Sequence, residues 1–315
     1  MRALITGGSG FVGRHLAAHL RAETDWEIVA IGGRQAPVLP GVTGAACDLA
    51  DRAAVDALLR RYPPDIVFHL AARTSVPEAF AEPGATLINN AIAQINLFES
   101  IHALGLDPVI LVAGSSEVYG PAPPEAMPLD ERQPFLPANP YAVSKVVQDM
   151  LAVQYGLSHK MRIVRVRPFN HIGPGQSERF VVASFARQIA AAEQGLTEPV
   201  VRVGNLDAQR DFLDVRDVVR AYRLVARPEL AGEVFNVASG VPRSIRQVLD
   251  RLLALARRPI EVRPDPSRLR PSDAPVVYGS SAKLQQSTGW EPEIPFEQSL
   301  IDTLDDWRKR VARGG

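Results

Sequence analysis

One cysteine, Cys47, stands among 315 residues. A lone thiol closes no internal disulfide and builds no thiolate metal cage. Net charge is missing too, because 35 Lys and Arg balance 35 Asp and Glu. That balance argues against nucleic acid as a partner and leaves room only for local basic pockets. No apolar run approaches the roughly 20 residues of a membrane helix. Met1-Arg2 leads straight into a short apolar strand, without the hydrophobic core of a signal peptide. The expectation is a cytoplasmic protein with no membrane partner. The six histidines lack metal-ligand spacing, so no metal site is expected. Repeats and low-complexity tracts are also absent. What is there, 46% hydrophobic and 22% charged residues, is ordinary for a globular chain long enough for a large core and two lobes.

Through the first half, short apolar runs alternate with helical patterns. Residues 3–5, 27–31, 66–70, 109–113 and 163–166 read as buried strands. Helical stretches are predicted near 11–22, 51–61, 88–104 and 140–156. That alternation implies right-handed βαβ units and a parallel sheet covered on both faces. After Arg167 the rhythm changes. Loops are predicted at 168–178, 195–211 and 258–275, helices near 179–194, 215–226, 244–256 and 296–312, and one returning strand at 233–237. The fold class is therefore α/β, a Rossmann-like doubly wound parallel sheet with a smaller, discontinuous C-terminal substrate-binding lobe. The predicted division is 1–167, with a returning strand near 233–238, and 168–315.

The segment Thr6-Gly7-Gly8-Ser9-Gly10-Phe11-Val12-Gly13 joins the first strand to the first helix. Gly7 permits a tight turn, Gly10 lets backbone approach a pyrophosphate, and Gly13 allows close packing of helix on sheet. This predicts a dinucleotide cofactor. The second strand ends in Ile31-Gly32-Gly33-Arg34, where a carboxylate for the ribose 2′-hydroxyl would otherwise stand. With no carboxylate to repel a 2′-phosphate, and Arg34 able to pair with one, NADP(H) is favoured and NAD(H) remains open. Cys47-Asp48-Leu49 has the look of a loop over the adenine, with Asp48 as acceptor.

A second concentration of chemistry is Asn139-Pro140-Tyr141-Ala142-Val143-Ser144-Lys145. Asn139 reads as an N-cap and Pro140 as the first helical residue. Tyr141 and Lys145 then share a helix face. A nearby ammonium and the helix dipole are expected to lower the phenol pKa toward working range. The same spacing also occurs on solvated helices, so the pair alone decides little.

Joined by His69-Leu70-Ala71-Ala72 after the third strand and Ser115 after the fourth, these segments carry a resemblance. The chain resembles the extended short-chain dehydrogenase/reductases over essentially its whole length. The resemblance implies that Ser115 bonds the substrate oxygen, Tyr141 is the general acid or base, and Lys145 binds the nicotinamide ribose while tuning Tyr141. It implies that Asn90 serves a water-linked relay or holds its helix in place. Cofactor contacts are implied at Gly7, Gly10, Phe11, Val12 and Gly13, at Arg34, Asp48 and Leu49, at Leu70, Ala71 and Ala72, and at Asn90, Tyr141, Lys145 and Arg167.

The second half is similar to the branch of that family acting on GDP-sugars. Its marks are Pro77-Glu78-Ala79-Phe80, Phe169-Asn170-His171, Gly204-Asn205-Leu206-Asp207-Ala208-Gln209-Arg210-Asp211 and Arg270-Pro271-Ser272-Asp273. Substrate contacts are implied at Ser115, Ser116, Glu117, Asn170, Phe180, Val181, Asn205, Arg210 and Arg270, the arginines facing phosphate. His171 reads as a loop hydrogen-bonder rather than a base. The implied reaction is reduction of the C4 ketone of a GDP-4-keto-6-deoxy-mannose, by a homodimer joined through helices 88–104 and 140–156. Glu117 keeps a 4,6-dehydratase open, since dehydratases of this family use a glutamate two residues after the catalytic Ser or Thr. A C4-epimerase and a silent NADP(H)-binding regulator are the remaining alternatives.

Overall fold

The computed structural model describes residues 1–268 and 274–314. The first half builds β1 (Arg2–Thr6), α1 (Phe11–Glu23), β2 (Glu27–Gly32), β3 (Thr43–Ala46), α2 (Arg52–Arg61), β4 (Ile66–His69), α3 (Val76–Ala81), α4 (Pro83–Ala103), β5 (Val109–Ala113) and α5 (Pro140–His159). Next come β6 (Arg162–Pro168), β7 (Asn170–Ile172), α6 (Val181–Glu193), β8 (Val200–Val203), β9 (Gln209–Asp214) and α7 (Val215–Val225). The last third holds β10 (Val234–Val237), β11 (Pro242–Ser244), α8 (Ile245–Ala254), β12 (Glu261–Pro264), β13 (Val276–Val277), α9 (Ala282–Thr288) and α10 (Phe296–Ala312).

Seven strands form one sheet in the order β10-β6-β5-β4-β1-β2-β3, every pair parallel. The order reverses between β1 and β4, where open α/β sheets place their ligands. Apolar side chains on both faces explain the near-continuous Val, Ile and Leu runs. Leu16, Leu20, Val218, Tyr222 and Trp290 cover one face through α1, α7 and the segment after α9. Val55, Leu59, Leu97, Phe98 and Tyr155 cover the other through α2, α4 and α5. The smaller lobe has its own core, with Phe185, Ile189, Phe212, Leu249, Leu304 and Trp307.

Several expectations are corrected. The segment 88–104 belongs to a longer helix that begins at Pro83, with α3 before it. β3 escaped notice because Thr43-Gly44-Ala45-Ala46 is a short edge strand without an apolar face. The stretches read as loops hold β7, β8, the first half of β9, and β12. Their strands are short and pair with one another, β7 with β9 and β8 with β12, so little alternation marks them. Among the described residues, no helix is long and apolar enough to cross a membrane.

Candidate active site

The turn after β1 leaves no space for side chains. Gly7 has a φ of 70°, and a Cβ there would stand 3.0 Å from the Ala71 backbone nitrogen. A Cβ on Gly13 would come within 2.4 Å of the Gly7 carbonyl. Gly10 caps α1 with no side-chain bond, so the leading amides of the helix face a ligand at the positive end of its dipole. This cradle fits a dinucleotide pyrophosphate. Thr6, which sequence reasoning missed, anchors the turn from below. Its Oγ1 accepts from Leu70 N at 3.1 Å and Ala71 N at 3.2 Å. Its own proton therefore goes to His69 Nδ1, 2.9 Å away, and leaves the buried His69 Nε2 as the protonated nitrogen. Burial, helped by the Lys145 charge, pulls the His69 pKa down to about 3 and keeps the imidazole neutral.

At the adenosine end Arg34 is exposed just after β2, and nothing crowds Gly33 beside it. Asp48 is exposed with Oδ1 accepting from Ala50 N at 3.0 Å, and Leu49 is buried. Phe11 stacks on His171 with ring centroids 6.0 Å apart, and His15 Nε2 donates to the Pro174 carbonyl at 2.8 Å. The cofactor turn is thus packed against the second lobe. His171 Nδ1 donates to Phe169 O at 3.0 Å, the loop role expected of it.

The residues expected to transfer the proton lie where β5 ends and α5 begins. Ser115 follows β5 and is buried, its Oγ accepting from Glu117 N at 3.2 Å. Asn139 caps α5 as predicted, Oδ1 accepting from Ala142 N at 2.8 Å. Tyr141 and Lys145 then point inward, exposed by 9% and 3%. Burial pushes the Tyr141 phenol above its ordinary range; the neighbouring Ser115 hydroxyl pulls down and the Glu117 charge pushes up. Lys145 Nζ donates to Ala113 O at 2.7 Å and to Gln148 Oε1 at 2.9 Å. Burial brings its pKa down to about 7. The expected lowering of the phenol pKa by Lys145 is therefore corrected. Lys145 places two of its three donors on Ala113 and Gln148, and desolvation dominates the phenol. Gln148, three residues beyond Lys145, is the holding residue that spacing alone did not single out.

Two other expectations change. Asn90 is fully buried and takes the second of its two expected roles. Its Oδ1 accepts from Arg73 N at 2.7 Å, while Nδ2 donates to Arg73 O at 3.1 Å and Ser144 Oγ at 2.9 Å. It ties α4 to α5 and to the loop after β4. Arg167 is buried in an ion pair with Asp149 at 2.9 Å, donates to Tyr119 Oη at 3.1 Å, and stacks over Phe135. Its guanidinium donors go to Asp149, Tyr119 and the Glu131 carbonyl, structural partners that sequence reading did not foresee.

On the substrate side, register sets Asn170 opposite Phe212, two residues from Arg210 on β9. Arg210 Nη1 donates to Gln209 O at 2.7 Å and Ala274 O at 2.8 Å. Arg243 on β11 stands directly across from Arg210, a second cation that sequence order hides. Asn205 Oδ1 accepts from Asp207 N at 3.0 Å. Phe180 caps α6 and is exposed, with Val181 half-buried behind it. Arg179 pairs with Glu78 of α3 across the two lobes. Ser116 is buried and Glu117 exposed, its Oε2 accepting from Asn139 Nδ2 at 2.9 Å. Arg270 lies outside the described residues.

Known proteins resemble this chain in sequence and fold. A family profile described as GDP-mannose 4,6 dehydratase matches residues 4–303. The chain belongs to that GDP-mannose 4,6-dehydratase family. Within the family it is similar to a GDP-6-deoxy-D-mannose reductase of Pseudomonas aeruginosa, 42% identical over 98% of both chains. A GDP-mannose 4,6-dehydratase of Vibrio cholerae is 30% identical over 96% of this chain and 92% of its own. A solved structure of RMD from Pseudomonas aeruginosa complexed with NADPH superposes with a TM-score of 0.89, 41% identity, and 98% and 99% coverage of the two chains. The Thermus thermophilus UDP-glucose 4-epimerase in complex with NAD superposes at 0.87 with 30% identity, covering 98% and 99%. The extended short-chain dehydrogenase/reductase architecture expected from sequence is therefore the one observed.

Proposed function

We propose that this protein reduces the C4 ketone of GDP-4-keto-6-deoxy-D-mannose to GDP-6-deoxy-D-mannose, with NADP(H) as cofactor and NAD(H) as a possible substitute. The observation that carries this reading is the full-length likeness to the Pseudomonas aeruginosa reductase, on a chain whose own Ser115, Tyr141 and Lys145 lie on the turn that follows β5 and on the start of α5. When bound, NADPH supplies the hydride for C4. Tyr141, its phenol held protonated by burial, gives its proton to the C4 oxygen. Ser115 hydrogen-bonds that oxygen, and Lys145 orients the cofactor's ribose from its seat on Ala113 and Gln148. Gly7, Gly10 and Gly13 seat the pyrophosphate, and exposed Arg34 takes the 2′-phosphate. Asn170 and Arg210 take the sugar-nucleotide diphosphate, with Arg243 beside them.

Tyr141→Phe removes only the proton donor. Turnover should drop by roughly 100-fold or more, with NADPH affinity nearly unchanged in a binding titration. Unchanged turnover would remove Tyr141 from the mechanism.

The second reading is a 4,6-dehydratase, favoured by the position of Glu117 and by the Vibrio cholerae relative. One experiment separates them. The protein is mixed with GDP-mannose alone, and separately with the keto-sugar nucleotide and NADPH. Loss of absorbance at the reduced-nicotinamide band only in the second mixture supports reduction, and a keto sugar formed in the first supports dehydration.

The same reading includes a cytoplasmic homodimer. Ile88 on α4, and Val143, Met150 and Leu157 on α5, are exposed. The α5 trio repeats every seventh residue, so it forms one stripe along the helix. Such a stripe supports an interface between two copies.

A further inference from the structure

Glu117 lies two residues after Ser115, and Asn139 lies two residues before Tyr141. Between them residues 120–138 run as a long connection with no helix longer than a single turn. Their side chains close that gap directly, Asn139 Nδ2 donating to Glu117 Oε2 at 2.9 Å. Asn139 uses its other end, Oδ1, to cap α5 through Ala142 N at 2.8 Å. The turn under Glu117 is firmly held. Val118 and Tyr119 are fully buried, Tyr119 Oη donates to Asn236 Oδ1 at 2.6 Å, and Leu136 N donates to Val118 O at 3.0 Å. A firm turn therefore grips a helix start through one charge-assisted bond.

We propose that Glu117 is a positioning residue, which holds the N-cap of α5 against the Ser115 turn and so sets the reach from Ser115 to Tyr141. The proposal rests on the ketone-reducing reading of this site, and it gives the glutamate a task that needs no proton removal from the sugar. Proton transfer is sensitive to such settings, since misplacement by about 1 Å can cost on the order of 100-fold in rate.

Asn139→Asp keeps an N-cap oxygen but sets a carboxylate against Glu117. Adding Glu117→Gln to that variant restores a donor and acceptor pair with the roles exchanged. With the keto-sugar nucleotide and NADPH, Glu117→Ala and Asn139→Asp should each lower kcat by roughly ten-fold with KM moving less than about two-fold. The double variant should regain most of the loss. Hydrogen exchange of the α5 first-turn amides reads the clamp without turnover: faster in both single variants, and back to the wild-type rate in the double variant. Wild-type kcat and exchange in the single variants, or a double variant no better than Asn139→Asp, overturn the clamp. A wild type that oxidises no NADPH, while exchange follows the expected pattern, overturns the reductase reading and leaves the clamp standing.

Discussion

Lys145 carries a large electrostatic cost at the site. Its ammonium is buried with two neutral acceptors, Ala113 O and Gln148 Oε1, and its pKa falls from 10.5 to about 7. Between those values the unfolded chain binds a proton that the folded chain does not, so stability rises with pH across that window. Below about 7 both states are protonated and the cost is fully present. Lys145→Met lacks this titration. The stability difference between wild type and variant should therefore drift in favour of the wild type from about pH 7 toward 10.5, by at most about 1.4 kcal/mol per pH unit. Chemical denaturation of both proteins across that range checks it, and parallel curves would mean that Lys145 is not desolvated. The Tyr141–Lys145 pair was legible from its spacing on a capped helix. That Lys145 donates to Ala113 and Gln148 was not, because those partners arrive only once the strand and helix are packed.

The elements that meet at the site are held by close backbone approach. α1 lies so near the turn after β1 that a Cβ added to Gly13 would stand only 2.4 Å from the Gly7 carbonyl. Gly13→Ala should push the helix off the turn and lower NADPH affinity by roughly ten-fold or more, read by titrating cofactor fluorescence; a change below about two-fold would show that the turn has room to give. The glycines of that turn were readable because local sterics are a property of the residues themselves. β7, β8 and β12 were not, since each depends on a partner strand distant in sequence. Asn90 is a similar case: its partners Arg73 and Ser144 come from a loop and another helix.

At the scale of the whole molecule, the two lobes are knitted by buried polar groups. Asp211 on β9 accepts from Ser239 N at 2.8 Å, Ser239 Oγ at 2.6 Å and Gly240 N at 2.9 Å, which fastens the smaller lobe to the end of β10. Within the smaller lobe, Ser299 Oγ of α10 donates to Asp214 Oδ2 at 2.6 Å. The outer face of α4 and α5 is the contrasting region, with Leu157 and Ile88 exposed by 69% and 67%. If two copies meet there, Met150→Arg with Leu157→Arg should convert a dimer to monomer in light scattering while the melting temperature of the protomer stays within a few degrees. A wild type of monomer mass removes that surface from consideration.

Residue order alone determined the parallel α/β sheet, the dinucleotide turn at Gly7, Gly10 and Gly13, and the Asn139-capped helix carrying Tyr141 and Lys145. Those features arise from periodicity, glycine sterics and capping, all of which act within a few residues. Only the tertiary structure decided that Arg167 serves Asp149, that Arg243 faces Arg210, that Asn90 is a tie between helices, and that Glu117 grips Asn139. Each of these depends on which residue, distant in sequence, the fold brings alongside.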